Sequence, residues 1–244
     1  MMKKILMILT SHRLDCFRLC MDMLIHGGSI RRFDRVVLLL NGVKGRHLRY
    51  VQSLQTTHPD LPWDVISGPR GRGAFISNLQ NECVRRHPEA LYFKIDEDTF
   101  VSSDWDQILT AAHDAHRDRP DLSLVTATIP NNGLGAWQLL NRFPDLRAEF
   151  LALPHAAHVP AADGPVWFYP HLAEWMIRRF LNLDDANPRV REATPDPWVP
   201  FHDRFSINCI CYDYRHWREI GGVPEHDEVG WGKWIAEHHK LVVL

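Results

Sequence analysis

Residues 91–101 read "LYFKIDEDTFV", an apolar run followed at once by three adjacent carboxylates. Asp96, Glu97 and Asp98 repel one another, and each loses hydration wherever its surroundings are partly buried. A solvated turn would tolerate them without any function. A divalent cation would make the arrangement favourable, because hard cations take several oxygen ligands. Side chains at i and i+2 of an extended segment share a face. Asp96 and Asp98 are therefore expected to converge on one cation while Glu97 turns away. With no Cys or His nearby, the donor set favours Mg²⁺ or Mn²⁺ over zinc. A cation there could bridge the two phosphates of a nucleotide diphosphate and neutralise charge as that group leaves.

Working outward, "ALYFKI" (90–95) is the fourth apolar run of an alternating series. "KKILMILT" (3–10) is a continuous strand, and "LDCFRLCMDMLIHG" (14–27) has helical spacing that ends at Gly27–Gly28. "DRVVLLLNG" (34–42) is a second strand closed by an Asn-Gly turn. A polar helix near 45–56, a strand "WDVIS" (63–67), the loop "GPRGRG" (68–73) and a helix over 74–87 follow. Unbroken apolar strands alternating with helices predict an α/β fold with a mainly parallel sheet covered on both faces. Ligands of such sheets bind beyond the carboxyl ends of the strands. "TSHR" (10–13), "LNGV" (40–43) and the acidic triplet all lie at such ends.

The second half is less regular. A helix over about 104–117 and a strand "LSLVTATI" (122–129) precede a proline-rich stretch from Pro130 to Pro200, read as containing one helix, "HLAEWMIRRFLNL" (171–183). That helix carries Leu172, Trp175, Met176 and Phe180 on one face with Arg178 and Arg179 beside them. Its expected role is packing on the sheet, with peripheral contact to anionic lipid as the alternative. Trp137, Trp167, Phe168, Tyr169, Trp175 and Trp198 are either core or a sugar-stacking acceptor wall. A strand "RFSINCICYDY" (204–214), a short helix, Gly221–Gly222, another helix and a last strand close the chain. The expectation is a single domain over 1–244, with a nucleotide-sugar-binding half (1–100) abutting an acceptor-binding half (101–244).

The chain has 244 residues, 45% hydrophobic and 24% charged, with a net charge of −2. That suffices for a sizeable core without disulfides and carries no basic footprint for nucleic acid. The five cysteines lack CxxC spacing and are expected to be reduced core residues. The opening "MMKKILMILTSHR" is too short in its apolar run for a signal peptide, and no window reaches a membrane span. A cytoplasmic chain is expected, with peripheral membrane association as the alternative.

Several segments together resemble the GT-A glycosyltransferases, particularly the family 2-like group. "KKILMILTSHRLDCFRLCMDML" (3–24) is similar to the opening strand and helix of that family. "GRGAFISNLQNECVRRHPEALYFKIDEDTFV" (71–101) resembles its Arg/Asn-bearing helix leading into the Asp-x-Asp strand. "YRHWREIGGVPEHDEVGWGKWIAE" (214–237) resembles the region after its acceptor site. The resemblance covers most of the chain but not 130–200. It implies that Asp98 ligates a metal, Mn²⁺ or Mg²⁺, directly, and that Asp96 contacts the metal or the donor ribose. It also implies that Thr10, Arg13, Asn41, Arg72 and Asn78 lie around the nucleotide of a nucleotide-sugar donor. The implied activity is sugar transfer to a carbohydrate or lipid-linked acceptor, of the kind used in surface polysaccharide or glycan biosynthesis.

Two departures stand out. The second strand ends in "LLLNGV" where the family often has an acidic cluster, and "GWGKW" has Lys233 and Trp234 where it often has Glu-Asp. The nearest carboxylates are Asp227 and Glu228, in "PEHDE" (224–228). They are expected to open a helix, whose dipole favours the ionised form, and one of them, with a slight preference for Asp227, is the candidate base for an inverting transfer; a retaining outcome stays open. His226 is a candidate third metal ligand or phosphate contact, or a surface residue. "GPRGRG" is either a phosphate cradle ahead of a helix N-terminus or an ordinary turn. Two rival functions remain. A nucleotidyltransferase of related fold is opposed by the absence of glycine from "LTSHRLDCF". A catalytically inactive nucleotide- or sugar-binding relative is suggested by Lys233-Trp234.

Overall fold

A computed structural model describes residues 2–161, 163–193, 198–201 and 205–243. The alternating first hundred residues form β1 (Lys3–Thr10), α1 (Leu14–His26), β2 (Arg35–Asn41), α2 (Gly45–Thr57), β3 (Trp63–Gly68), α3 (Ala74–Arg86) and β4 (Ala90–Asp96). These four strands lie in the order β3-β2-β1-β4, and every neighbouring pair is parallel. Strand neighbours along β1 and β2 alternate between two cores. Leu6, Ile8, Val36, Leu38 and Leu40 enter one, with Phe17 and Leu24 of α1. Ile5, Met7, Val37 and Leu39 enter the other, with Leu79 and Cys83 of α3. Both faces are covered, which is why these strands read as continuous apolar runs.

The chain continues through α4 (Trp105–His116) and β5 (Leu122–Thr126). It completes the sheet with β6 (Pro200–Phe201), β7 (Cys209–Asp213) and β8 (Leu241–Val243). The eight-stranded order is β3-β2-β1-β4-β7-β5-β8-β6. Strand β7 lies antiparallel between β4 and β5, with Cys209 opposite Ile95. Its start therefore abuts the end of β4. The strand expected over 204–214 is thus shorter, and Arg204 lies outside the described residues.

The stretch from 130 to 200 corrects the sequence reading. It holds five helices rather than one: α5 (Gly133–Arg142), α6 (Pro144–Leu151), α7 (Pro165–Phe168), α8 (Pro170–Arg179) and α9 (Leu183–Glu192). Pro144, Pro165 and Pro170 each stand at the first turn of a helix. There the missing N–H has no helical partner to lose and the fixed φ is already helical. The prolines start helices that they seemed to forbid. Leu172, Met176 and Phe180 are buried in a third core with Leu139, Leu140 and Phe150. The apolar face of α8 therefore packs on helices α5 and α6, not on the sheet. No helix among the described residues is long and apolar enough to cross a membrane.

Cys20, Cys83, Cys209 and Cys211 are buried thiols, Cys16 is half-buried, and all five are free. The chain ends with α10 (Tyr214–Ile220), α11 (Asp227–Glu237) and β8.

Candidate active site

Four strands, β3, β2, β1 and β4, end on one edge of the parallel half-sheet, at Gly68, Asn41, Thr10 and Asp96. The three carboxylates at the end of β4 have three different environments. Glu97 does turn away from its neighbours, and it is buried, with 6% exposure. One carboxylate oxygen accepts from the Thr10 hydroxyl at 2.6 Å and from Ser11 N–H at 2.9 Å. The other accepts from the Ser11 hydroxyl at 3.1 Å and from the N–H groups of Arg13 and His12 at 3.2 and 3.3 Å. Burial pushes the Glu97 carboxyl up, but the Thr10 hydroxyl and the three backbone donors outweigh it and hold it below the ordinary carboxylate range. The run of N–H groups at the start of α1 is an anion-binding nest, filled by a side chain of the same protein.

Asp96 and Asp98 are half-buried on either side of it. Asp96 Oδ1 lies 2.7 Å from Nζ of Lys94, a fully buried lysine that also donates to the Ile207 carbonyl at 3.0 Å. Asp98 pairs with the Arg13 guanidinium. Each carboxylate of the triplet thus has its own counterpart, two cations and one nest. The mutual repulsion read from the sequence is cancelled inside the protein.

The remaining donor-side candidates divide into buried supports and exposed groups. Thr10 is fully buried, and its hydroxyl also meets His47 Nε2 at 2.8 Å. Burial lowers the His47 pKa against the pull of Glu97. Asn41 is 5% exposed. Its amide is used at both ends by Gly71, donating to the carbonyl at 2.8 Å and accepting from the N–H at 2.9 Å. Both residues shape loops, and their polar atoms face protein. Arg72 and Asn78 are exposed. Gly42 has φ +70°, and a Cβ there would fall within 2.2 Å of Arg70 Cβ, so only glycine lets the two strand-end loops touch.

The 68–73 loop also meets the far end of the chain. A Cβ on Gly73 would come within 2.8 Å of the Glu225 carbonyl oxygen. The Ser77 hydroxyl donates to the Pro224 carbonyl. Asn81 clamps Val223, accepting from its N–H at 2.7 Å and donating to its carbonyl at 3.1 Å. The first turns of α3 thus hold "VPEHDE" at the same edge. His226 is exposed just before α11, which begins at Asp227; the Asp227 side chain lies outside what is described. Lys233 pairs with Glu237 at 3.7 Å, and Trp234 stacks on His238.

Glu228 lines a cleft of about 410 Å³, open solvent included, with Asn131, Asp163, Trp167, Ser206 and Asn208 among its walls. Asn208 joins this cleft to the acidic triplet, because its carbonyl accepts from Asp96 N–H at 3.2 Å and from the Thr99 hydroxyl at 3.0 Å. Of the six aromatics considered, Trp167, Phe168 and Tyr169 form one exposed group on and just after α7. Trp137 stacks on His158, Trp175 packs on Phe150 and beneath Arg179, and Trp198 packs against the first core. The proposed wall is therefore three residues, not six. Lys94, Asn131, Asp163 and Asn208 were missed because no local motif marks them. Lys94 alone carried a signal, a charged residue at an inward strand position.

No group of three or more His, Cys, Asp or Glu side chains suited to a metal occurs among the described residues, so His226 is not gathered with Asp96 and Asp98. Two all-oxygen carboxylates nevertheless fit Mg²⁺ or Mn²⁺, which commonly take one or two protein carboxylates and complete their shell with substrate phosphates and water.

No protein-family model matches the chain, and no curated protein matches it. Among solved structures it is similar to the mannosyltransferase PcManGT from Pyrobaculum calidifontis in complex with GDP-Man and Mn²⁺. That match has 13% identity and a TM-score of 0.55, and covers 99% of this chain and 54% of that one. This chain thus spans about half the length of that structure. S. aureus TarS in complex with UDP-GlcNAc matches at 14% identity over 51% of this chain and 34% of that one, with a TM-score of 0.37. A 4-diphosphocytidyl-2C-methyl-D-erythritol synthase from Anaerococcus prevotii matches at 13% identity over 51% and 54%, also with a TM-score of 0.37. The last two superpose too loosely to bear on the fold. The full-length match and the strand order agree on a GT-A-like glycosyltransferase fold in one α/β domain.

Proposed function

We propose that this chain is a metal-dependent glycosyltransferase that moves a sugar from a nucleotide-sugar donor to a carbohydrate or lipid-linked acceptor, in the assembly of a surface polysaccharide or glycan. The observation that carries the reading is the junction at Asn208. It ties the Asp96/Asp98 pair to a cleft lined by a carboxylate, amides, a hydroxyl and an exposed indole. The parallel half (1–100) serves the donor, and the remainder (101–244) builds the acceptor side.

A divalent cation held by Asp98 with Asp96 would supply positive charge to the leaving diphosphate. Arg72, Asn78 and His226, all exposed at the same edge, are proposed as nucleotide or phosphate contacts. Thr10 and Asn41 act through the loops they hold. Glu228 is proposed as the base that takes the proton of the attacking acceptor hydroxyl in an inverting transfer. It is preferred over Asp227 because it lines the cleft. Trp167 offers a flat apolar face to a pyranose ring, and the amides and carboxylate around it suit sugar hydroxyls. A nucleotidyltransferase would need the loop after β1 for its triphosphate, and here the N–H groups of residues 11–13 are bonded to Glu97.

Thermal unfolding with UDP, GDP, dTDP, CDP and CMP, each with and without Mn²⁺, tests the donor side. A nucleotide at a hundred times its dissociation constant adds about 2.7 kcal/mol, roughly a 5–10 °C shift for a chain of this size. One nucleotide should stabilise the wild type only with metal, and Asp98→Ala should abolish the shift. The donor sugar of that nucleotide should then be hydrolysed slowly without acceptor. Absence of any shift at saturating nucleotide removes the proposal.

A further inference from the structure

The pairing of Arg13 with Asp98 has a consequence for how metal and nucleotide bind. Arg13 is fixed at its backbone, because its N–H is held by Glu97 at 3.2 Å, while its side chain is 54% exposed. Asp98, at 30% exposure, is open to solvent on the same side. The guanidinium thus occupies a carboxylate proposed above as a metal ligand, from a loop whose position is locked and on a side chain free to rotate. An exposed pair of this kind is weak. A divalent cation, smaller and doubly charged, displaces it readily.

We propose that Arg13 is a placeholder for the cation on Asp98 and becomes a diphosphate ligand once the cation arrives. This rests on the metal–diphosphate reading given above. When metal takes Asp98, the guanidinium is released a side chain's length from an anion that the metal itself attracts, and its planar fork suits phosphate oxygens. Two couplings follow. Metal alone binds weakly, because it must displace Arg13. Nucleotide alone also binds weakly, because Arg13 stays on Asp98. Each ligand relieves the other's cost, and the coupling is reciprocal. Arg13 is in this sense a positioning residue that makes the two ligands bind as one.

The test uses Mn²⁺ alone, followed by electron paramagnetic resonance of free Mn²⁺, and GDP and UDP with and without Mn²⁺, followed by calorimetry. Wild type, Arg13→Gln and Asp98→Asn are compared after a check that their unfolding temperatures agree within a few degrees. Arg13→Gln should bind Mn²⁺ alone about fivefold more tightly than wild type, the scale of an exposed ion pair. Its nucleotide affinity in the presence of Mn²⁺ should fall about tenfold, so that the coupling between the two ligands drops toward unity. Asp98→Asn should lose Mn²⁺ and yet bind the metal-free nucleotide a few times more tightly than wild type, because Arg13 is released. A pair that only braces the fold would weaken both ligands in both variants, and that result overturns the proposal. Unchanged metal-only affinity in Arg13→Gln, with wild type still binding Mn²⁺ and nucleotide together, overturns the placeholder role but leaves the transferase reading standing. If wild type binds no metal–nucleotide pair at all, both fall.

Discussion

The two sides of the Asn208 junction are built on opposite plans. On the donor side, most polar groups already have a protein partner. Glu97 is held by residues 10–13, Asp96 by Lys94, Asp98 by Arg13, and Asn41 by Gly71. On the acceptor side, amides, a hydroxyl, two carboxylates and an indole line an open cleft. A diphosphate and a cation have fixed charge and geometry, so a prewired edge with few degrees of freedom suits them. A sugar acceptor is recognised by shape and many hydroxyls, which suits a roomier wall. The donor side is stabilised by its internal partners; the acceptor side keeps polar groups for a ligand.

The largest break in this comparison should come from Glu228→Gln. If Glu228 is the base, kcat falls by about 10²–10⁴-fold, while Mn²⁺-dependent nucleotide binding by calorimetry stays as in wild type. A parallel loss of nucleotide affinity would instead assign Glu228 to the donor side. Next is Glu97→Ala, which leaves three backbone N–H groups and a buried hydroxyl without their acceptor. Chemical denaturation should show a loss of roughly 2–4 kcal/mol. A loss below 0.5 kcal/mol would mean that the edge is not prewired through Glu97. Trp167→Ala, on an exposed residue, should leave stability nearly unchanged. It should raise the acceptor KM about tenfold, the scale of one aromatic face, with donor KM unaffected.

The smallest effect concerns pH. The folded pKa of Glu97 lies below its unfolded value of about 4.3. The stability it contributes is therefore fully present above that value and lost as pH falls through the folded pKa. The slope from this group cannot exceed about 1.4 kcal/mol per pH unit. Denaturation midpoints measured between pH 6 and 3 should drop more steeply in wild type than in Glu97→Gln. Equal slopes would place the acid-sensitive group elsewhere.

The contrast also explains what could be read in advance. The donor side comes from strand ends, and an apolar run buried on both faces reports its own limits along the chain, so Thr10, Asn41 and Asp96 were found at one edge. Their partners were not. Glu97 was expected only to turn away, because nothing in "IDED" tells that the chain 86 residues earlier presents three N–H groups in its path. The acceptor side hangs on α5–α9, where prolines at helix starts mimic prolines that end structure. Position within the first turn decides between the two, and that position depends on the helix that follows.

The order of strands and helices, the covered parallel half-sheet and the acidic strand end were therefore settled by local pattern: hydrophobic period, turn residues and spacing act over a few residues and need no fold to be read. Which carboxylate is buried, which is paired, and which lines a cleft was decided only when β7 inserted antiparallel beside β4 and brought Asn208 against Asp96. Charge compensation depends on separations of a few ångströms between residues far apart in sequence, and only the packed chain sets those separations.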